Sequence, residues 1–416
     1  MPFEADALET DSDTVVIVGA GQAGAWVAIT LRALDPHRRI LLIGDEAHPP
    51  YERPPLSKAV LAGKAEIESA YIKPRDFYAA ARIELILGQH VERVERARCQ
   101  VEISDGSRLG YGVLVLATGA KARKLSVPGG DLPQLHVLRG AADVERIRPE
   151  LVAGKRVLAI GAGFIGLEFA AVAVGLGCRV TVIDAASHAM GRVVDSEVAR
   201  SLTANHERRG VVFRFSTGVS AIREAGTQIE IEIDSGETLS ADLVVVGVGA
   251  IPNTDLAREA GLECDGGVIV DAFGRTSDPR IFAVGDVSRH FNPLLGRALR
   301  LESWQNAQNQ GIAIGKIIAG SREPYAEIPW FWTDQYESNF QIVGAPAAWD
   351  RIVWRGDPDG RAFTAVYLHG DRVVAGNTMN NARDIRFLKQ LILSGKPVEP
   401  ATLADSAISL AQLAKG

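Results

Sequence analysis

The sequence predicts an α/β fold in which two similar units are nested, one inserted in the other, with an α+β domain at the C-terminal end. Three observations lead there. A short β-branched strand runs into a glycine turn and a helical pattern twice, at residues 14–24 (TVVIVGAGQAG) and 156–166 (RVLAIGAGFIG). A hairpin with a closing strand also occurs twice, as VEISDGSRLGYGVLVLATGA (101–120) and IEIDSGETLSADLVVVGVGA (231–250). From Pro329 the pattern changes to alternating strands punctuated by the turn signals GDPDG and HGD.

A chain of 416 residues has room for two to three domains and a large core. Its 47% hydrophobic and 23% charged residues argue against disorder. A net charge of -6 disfavours a general nucleic-acid binder. No apolar run reaches the roughly 18 residues of a membrane span. The start, MPFEADALETDSD, carries Glu4, Asp6, Glu9, Asp11 and Asp13 and no basic residue, unlike a secretory signal. It reads as an acidic lead on a cytoplasmic protein. Cys99, Cys178 and Cys264 are dispersed and the histidines lack ligand spacing, so no metal centre is expected.

Taken in order, the first turn places Gly19, Gly21 and Gly24 between the strand and a helix through Trp26, Val27, Ile29 and Leu31. This is G-x-G-x-x-G in strand–turn–helix context, the Rossmann-like arrangement in which backbone amides meet a dinucleotide pyrophosphate. The next strand, RRILLIGDE, offers Asp45 and Glu46 to a ribose. The second turn has Gly161, Gly163 and Gly166, and the strand CRVTVID ends on Asp184, a carboxylate able to accept from a ribose diol. No arginine stands among Ala185, Ala186, Ser187 and His188 to receive a 2′-phosphate, which favours NADH over NADPH; Arg192 is close enough in sequence to fold back.

The second unit interrupts the first. After Ala250, GVIVDAFGRTSDPRIFAVGD (267–286) ends a strand on Gly285 and Asp286, placed to meet the ribitol or pyrophosphate edge of a dinucleotide or to cap a helix. The expected boundaries are 1–119 with 248–328 for the outer unit, 120–247 for the inserted one and 329–416 for the last domain. That domain has the strands FQIVGA, DRIVWRG and RAFTAVYLHGDRVVAGNTM, the helix ARDIRFLKQLILSG and a terminal helix of small residues.

In order, GAGQAG, YERPPLSK, LATGA, IGAGFIGLEFA, VTVID, AVGD, ESWQNAQNQ and PWFWTDQYESNFQIVG resemble the flavoprotein ferredoxin reductases of bacterial Rieske-type dioxygenase and haem-thiolate monooxygenase systems. The resemblance runs from residue 14 to about 400 and implies a glutathione-reductase-like fold. It also implies FAD in the outer unit, NAD in the inserted one, and a small [2Fe-2S] ferredoxin as electron acceptor. Carried over, the FAD contacts are Gly19, Gly21, Ala23, Gly24, Asp45, Arg53, Lys58, Val91, Ala117, Thr118, Gly119, Arg139, Gly285, Asp286, Trp304 and Trp332. The NAD contacts are Gly161, Gly163, Phe164, Ile165, Gly166, Asp184, Arg192 and Gly249, with Glu302 near the nicotinamide.

YERPPLSK (51–58) holds no cysteine pair, so electrons need another exit. By the resemblance, Lys58 puts a positive charge beside the flavin edge and Glu168 is its partner; the plain alternative is a surface lysine and a first-turn helix acid. Trp330 and Trp332 read either as the edge facing the ferredoxin or as domain packing. RHFNPLLGRALRLESW (289–304) carries Arg289, Arg297 and Arg300 with no acid before Glu302, a positive patch for an acidic ferredoxin or a solvated loop. Two further readings stay open. An NADH oxidase would carry a redox cysteine where Pro54, Pro55, Leu56 and Ser57 stand. A redox-sensing module, like apoptosis-inducing-factor relatives, would hold its reduced complex instead of turning over with a one-electron acceptor.

Overall fold

A computed structural model describes residues 13–415; the acidic lead ahead of Asp13 lies outside the described residues. The chain divides into two compact units.

The first comprises residues up to Glu52, Glu68–Lys121 and Ile251–Glu327. Its parallel sheet has the order Ile281–Ala283, Val113–Leu116, Val15–Val18, Ile40–Gly44, Ile83–Leu87. Val15–Val18 and Ile40–Gly44 are buried throughout, which is why they read as unbroken apolar runs: a parallel sheet is covered on both faces. The helix Gln22–Leu34 packs against the helix Trp304–Ile318. Gly311 permits that approach, since a Cβ there would stand 2.6 Å from the Ala23 carbonyl oxygen. An antiparallel meander, Val91–Glu95, Gln100–Ile103 and Arg108–Gly110, completes the repeat.

The second unit comprises Arg53–Ile67, Ala122–Ala250 and the chain from Ile328 onward. It reuses the same design, with the parallel order Val212–Arg214, Arg179–Ile183, Arg156–Ile160, Leu243–Val246, Leu135–His136. In both units the strand before the glycine turn pairs with the following strand on one side and the closing strand on the other. The second meander is Val219–Ala225, Gln228–Ile233 and Thr238–Ala241.

The C-terminal part is an antiparallel sheet in the order Trp330–Gln335, Ser338–Val343, Arg372–Met379, Phe363–His369, Arg351–Gly356, packed by the helix Ile385–Ser394. PWFWTDQ is thus an edge strand of this sheet. Residues 53–67, which follow the first glycine motif in sequence, group with this unit because the short turn Pro54–Ser57 packs on the helix Phe164–Gly175. Among the described residues no helix is long and apolar enough to cross a membrane.

Candidate active site

The two glycine turns are built alike. Gly19 and Gly161 hold φ of +113° and +108°, values that side chains avoid. A Cβ on Gly24 would stand 2.1 Å from the Gly19 carbonyl oxygen, and one on Gly166 1.9 Å from that of Gly161. These glycines serve the turn and the strand–helix packing. The middle ones differ: a Cβ on Gly21 or Gly163 meets nothing within 4 Å. The helices that follow have no side-chain cap and no acid in the first turn. Their amide groups and positive dipole ends are therefore available to an anion that approaches the bare backbone. Both turns fit the diphosphate of a dinucleotide.

In the first unit, Asp45 is exposed just after the strand Ile40–Gly44, while Glu46 accepts from the Tyr51 hydroxyl. The Ala117–Gly119 turn presses on Gly19, and the Thr118 hydroxyl donates to the Asn253 carbonyl at 2.9 Å. Gly285 donates its N–H to the buried Gln310 side chain at 2.7 Å, and a Cβ on it would reach within 2.9 Å of Ala23 Cβ. The structure therefore brings the Gly285–Asp286 turn against the first glycine loop. Trp304 opens its helix and hydrogen-bonds Glu52, whose carboxyl is raised by burial and only partly lowered by that bond.

Two further expected residues carry other contacts. The Val91 side chain belongs to the core, so only its backbone is left for a ligand. The Glu302 carboxylate accepts from Arg300. Of the arginines weighed for a basic patch, Arg289 pairs with Asp265 and Arg300 with Glu302.

In the second unit, Asp184 accepts from the Ala162 amide at 2.6 Å and the Ala186 amide at 2.8 Å, which holds its carboxylate at the glycine loop. Arg192 does fold back: a Cβ on Gly249 would lie 3.4 Å from its guanidinium. Phe164 stacks on Phe331, with ring centroids 4.7 Å apart, and Ile165 beside it is exposed. Arg53 donates to the Arg139 carbonyl, bringing those two together. Trp332 stacks on Trp330 at 5.3 Å and 17°.

Lys58 Nζ stands 2.8 Å from Glu168 Oε1 and 3.2 Å from the Pro54 carbonyl oxygen. Glu168 is 4% exposed and accepts two further bonds: one from the Ser57 hydroxyl, and one from Thr333 Oγ1 at 2.7 Å. A buried carboxylate needs such partners, because desolvation of an unpaired one costs several kcal/mol, on the order of 3–5.

Sequence reasoning missed Ser57, Thr333 and, beyond them, Gln335 and His206. A signal existed in the strand alternation: with Trp330 and Trp332 on one face, Phe331, Thr333 and Gln335 share the other.

His206 and His290 are buried and their pKa values are pushed down to about 4 by desolvation. The unfolded chain takes up protons near 6.5, whereas the folded chain resists until about 4. Stability is therefore expected to fall as pH drops through that window, at up to about 2.7 kcal/mol per pH unit if both histidines contribute. Urea unfolding at several pH values checks this; a flat profile would reject it.

Residues 13–311 match the family Pyridine nucleotide-disulphide oxidoreductase, and residues 330–414 match Reductase C-terminal. The chain belongs to the pyridine nucleotide-disulphide oxidoreductases. This oxidoreductase is 44% identical over 401 residues to the anthranilate 1,2-dioxygenase system ferredoxin–NAD(+) reductase component of Burkholderia cepacia, covering 96% of this chain and 98% of that protein. It superposes on the ferredoxin reductase for the CYP199A2 system of Rhodopseudomonas palustris with a TM-score of 0.93 and 39% identity, covering 97% and 100% of the two chains. For putidaredoxin reductase in its covalent complex with putidaredoxin, the TM-score is 0.92 with 41% identity, covering 96% and 98%. Despite the family's title, this oxidoreductase holds its three cysteines unpaired.

Proposed function

We propose that this oxidoreductase draws electrons from NADH through FAD and delivers them singly to a [2Fe-2S] ferredoxin, which feeds a Rieske-type oxygenase or a haem-thiolate monooxygenase. The observation that carries the reading is the Lys58–Glu168 pair with its two hydroxyl partners, in a chain whose cysteines are unpaired. A dithiol relay is thereby absent, and a one-electron protein carrier is the natural acceptor. The named relatives support this, being a dioxygenase-system ferredoxin reductase component and a reductase crystallised with its ferredoxin.

Bound FAD accepts a hydride as two electrons and releases them one at a time, which is the cofactor's own chemistry. The chain's residues supply binding, alignment and charge. Residues 1–119 and 248–328 hold FAD: the Gly19–Gly24 amides take its diphosphate, Asp45 a ribose, and Gly285–Asp286 close the loop. Residues 120–247 hold NAD on the Gly161–Gly166 turn, with Asp184 on the ribose diol. Lys58 keeps a cation where negative charge builds on reduction, aimed by Glu168. The setting is the cytoplasm.

Asp184 sets the preference for NADH in this reading. Asp184→Ala is expected to raise KM for NADH about tenfold and to narrow discrimination against NADPH, because a hydrogen bond to a charged group contributes about 1.5–3 kcal/mol. Initial rates with both nucleotides test this.

The function itself is tested by anaerobic stopped-flow. NADH should bleach the flavin absorbance of the purified protein, and oxidised [2Fe-2S] ferredoxin should restore it as the ferredoxin is reduced. A long-lived long-wavelength band with no transfer to ferredoxin would reject the reductase reading.

A further inference from the structure

We propose that Tyr336, His206, Gln335 and Thr333 form a one-way hydrogen-bond chain that orients the Glu168 carboxylate, making His206 a positioning residue for the Lys58–Glu168 pair. The inference rests on the functional reading above for what that pair does, but not for the chain itself.

Consecutive links are Thr333 Oγ1 to Glu168 Oε1 at 2.7 Å, Gln335 Nε2 to Thr333 Oγ1 at 3.2 Å, His206 Nε2 with Gln335 Oε1 at 2.8 Å, and Tyr336 Oη with His206 Nδ1 at 2.9 Å. Thr333 and His206 are 0% exposed and Gln335 is 3% exposed, so no member between Tyr336 and Glu168 exchanges its partner for water.

The direction of every link follows from one charge. An ionised carboxylate only accepts, so the single Thr333 proton goes to Glu168. Thr333 Oγ1 must then accept from Gln335, which turns the Gln335 amide nitrogen toward it. The Gln335 oxygen consequently faces His206 and can only accept, which puts the imidazole proton on Nε2. Nδ1 is left bare and takes the Tyr336 hydroxyl proton. Four dipoles thus point at one carboxylate, and such a chain polarises each of its members. Burial keeps His206 neutral, with its pKa pushed down to about 4, as one bare ring nitrogen requires.

Tyr336 supplies an independent sign. It holds a φ of +57° in the tight hairpin turn between Trp330–Gln335 and Ser338–Val343, a place where glycine or asparagine is preferred. Its ring lies under the Arg209 guanidinium at 4.2 Å and against the His206 ring at 4.9 Å. The turn thereby holds the Tyr336 hydroxyl on His206 Nδ1, at the outer end of the chain.

Nitrogen NMR of the imidazoles in the FAD-loaded full chain reads the direction itself. His206 is expected as the Nε2–H tautomer at neutral pH; an Nδ1–H tautomer would overturn the chain whatever the activity. The coupling is read by single-turnover flavin reduction with NADH. His206→Leu is expected to slow it about fivefold, and His206→Gln, which keeps a donor toward Gln335, to restore it to within about twofold.

In a Glu168→Gln background, where the charge that directs the chain is gone, His206→Leu should change the rate by less than about 1.5-fold. An equal loss in both backgrounds would mean that His206 only holds the fold together and would overturn the proposal. If His206→Leu does not fold, Tyr336→Phe at the open end gives the same comparison, with about a twofold loss expected only when Glu168 is present. Wild-type protein that NADH fails to bleach would tell against the functional reading, while the tautomer would still decide the chain.

Discussion

Gly24→Val is expected to purify without flavin absorbance, whereas Gly166→Val is expected to stay yellow and to be barely bleached by NADH. In each case the added Cβ falls on a backbone oxygen of its own turn, 2.1 Å from Gly19 O and 1.9 Å from Gly161 O. No rotamer relieves a clash at Cβ, so the strand–turn–helix junction must open, at a cost of about 3 kcal/mol or more. Opening the junction also turns the amides away from the diphosphate they are proposed to hold. Absorbance of the purified proteins and anaerobic addition of NADH separate the two defects. A yellow, reducible Gly24→Val would show that the first turn does not hold FAD.

Lys58→Met should act on stability and on rate together. It leaves Glu168, 4% exposed, with two hydroxyl donors and no cation, which is expected to cost about 3 kcal/mol. It also removes the charge proposed to stabilise the flavin edge on reduction, and the hydride step should slow about 100-fold. The double variant Lys58→Met, Glu168→Leu separates the effects, since replacing both ions by apolar groups is often neutral. Urea denaturation should show most of the stability recovered, while stopped-flow reduction stays slow. Recovery of both would mean that Lys58 serves only to neutralise Glu168. A single Lys58→Met variant that keeps FAD and is reduced at the normal rate would reject its role altogether.

Much of the architecture was legible because its signals are local. A β-branched strand, a glycine turn and a helix lie within a dozen consecutive residues, and steric demands inside each turn leave little choice of residue at Gly24 or Gly166. The repeat of the hairpin segment, 101–120 and 231–250, carries the same message: each forms the last hairpin of a meander and the strand that closes a parallel sheet.

The C-terminal sheet follows from period-two alternation and its turns, but in Trp330–Gln335 the tryptophans draw attention away from the face between them. That face carries Thr333 and Gln335. Nor did the sequence show that residues 53–67 pack with the later segments, because nothing local marks which of two similar units a short proline-rich turn will join.

Local signals suffice for two glycine turns in strand–turn–helix context, an α+β tail, the dispersal of three cysteines, and the motif order that resembles the ferredoxin reductases. What surrounds the charges follows only from packing between distant segments. Glu168 receives Ser57 from 111 residues away and Thr333 from 165, and His206 meets Gln335 across 129. Arg289, free of acids in its own stretch, finds Asp265 once the strands pair. Composition and periodicity report which residues are buried. Which charge a buried or surface group meets depends on packing between distant segments, where the low dielectric makes each pairing matter most.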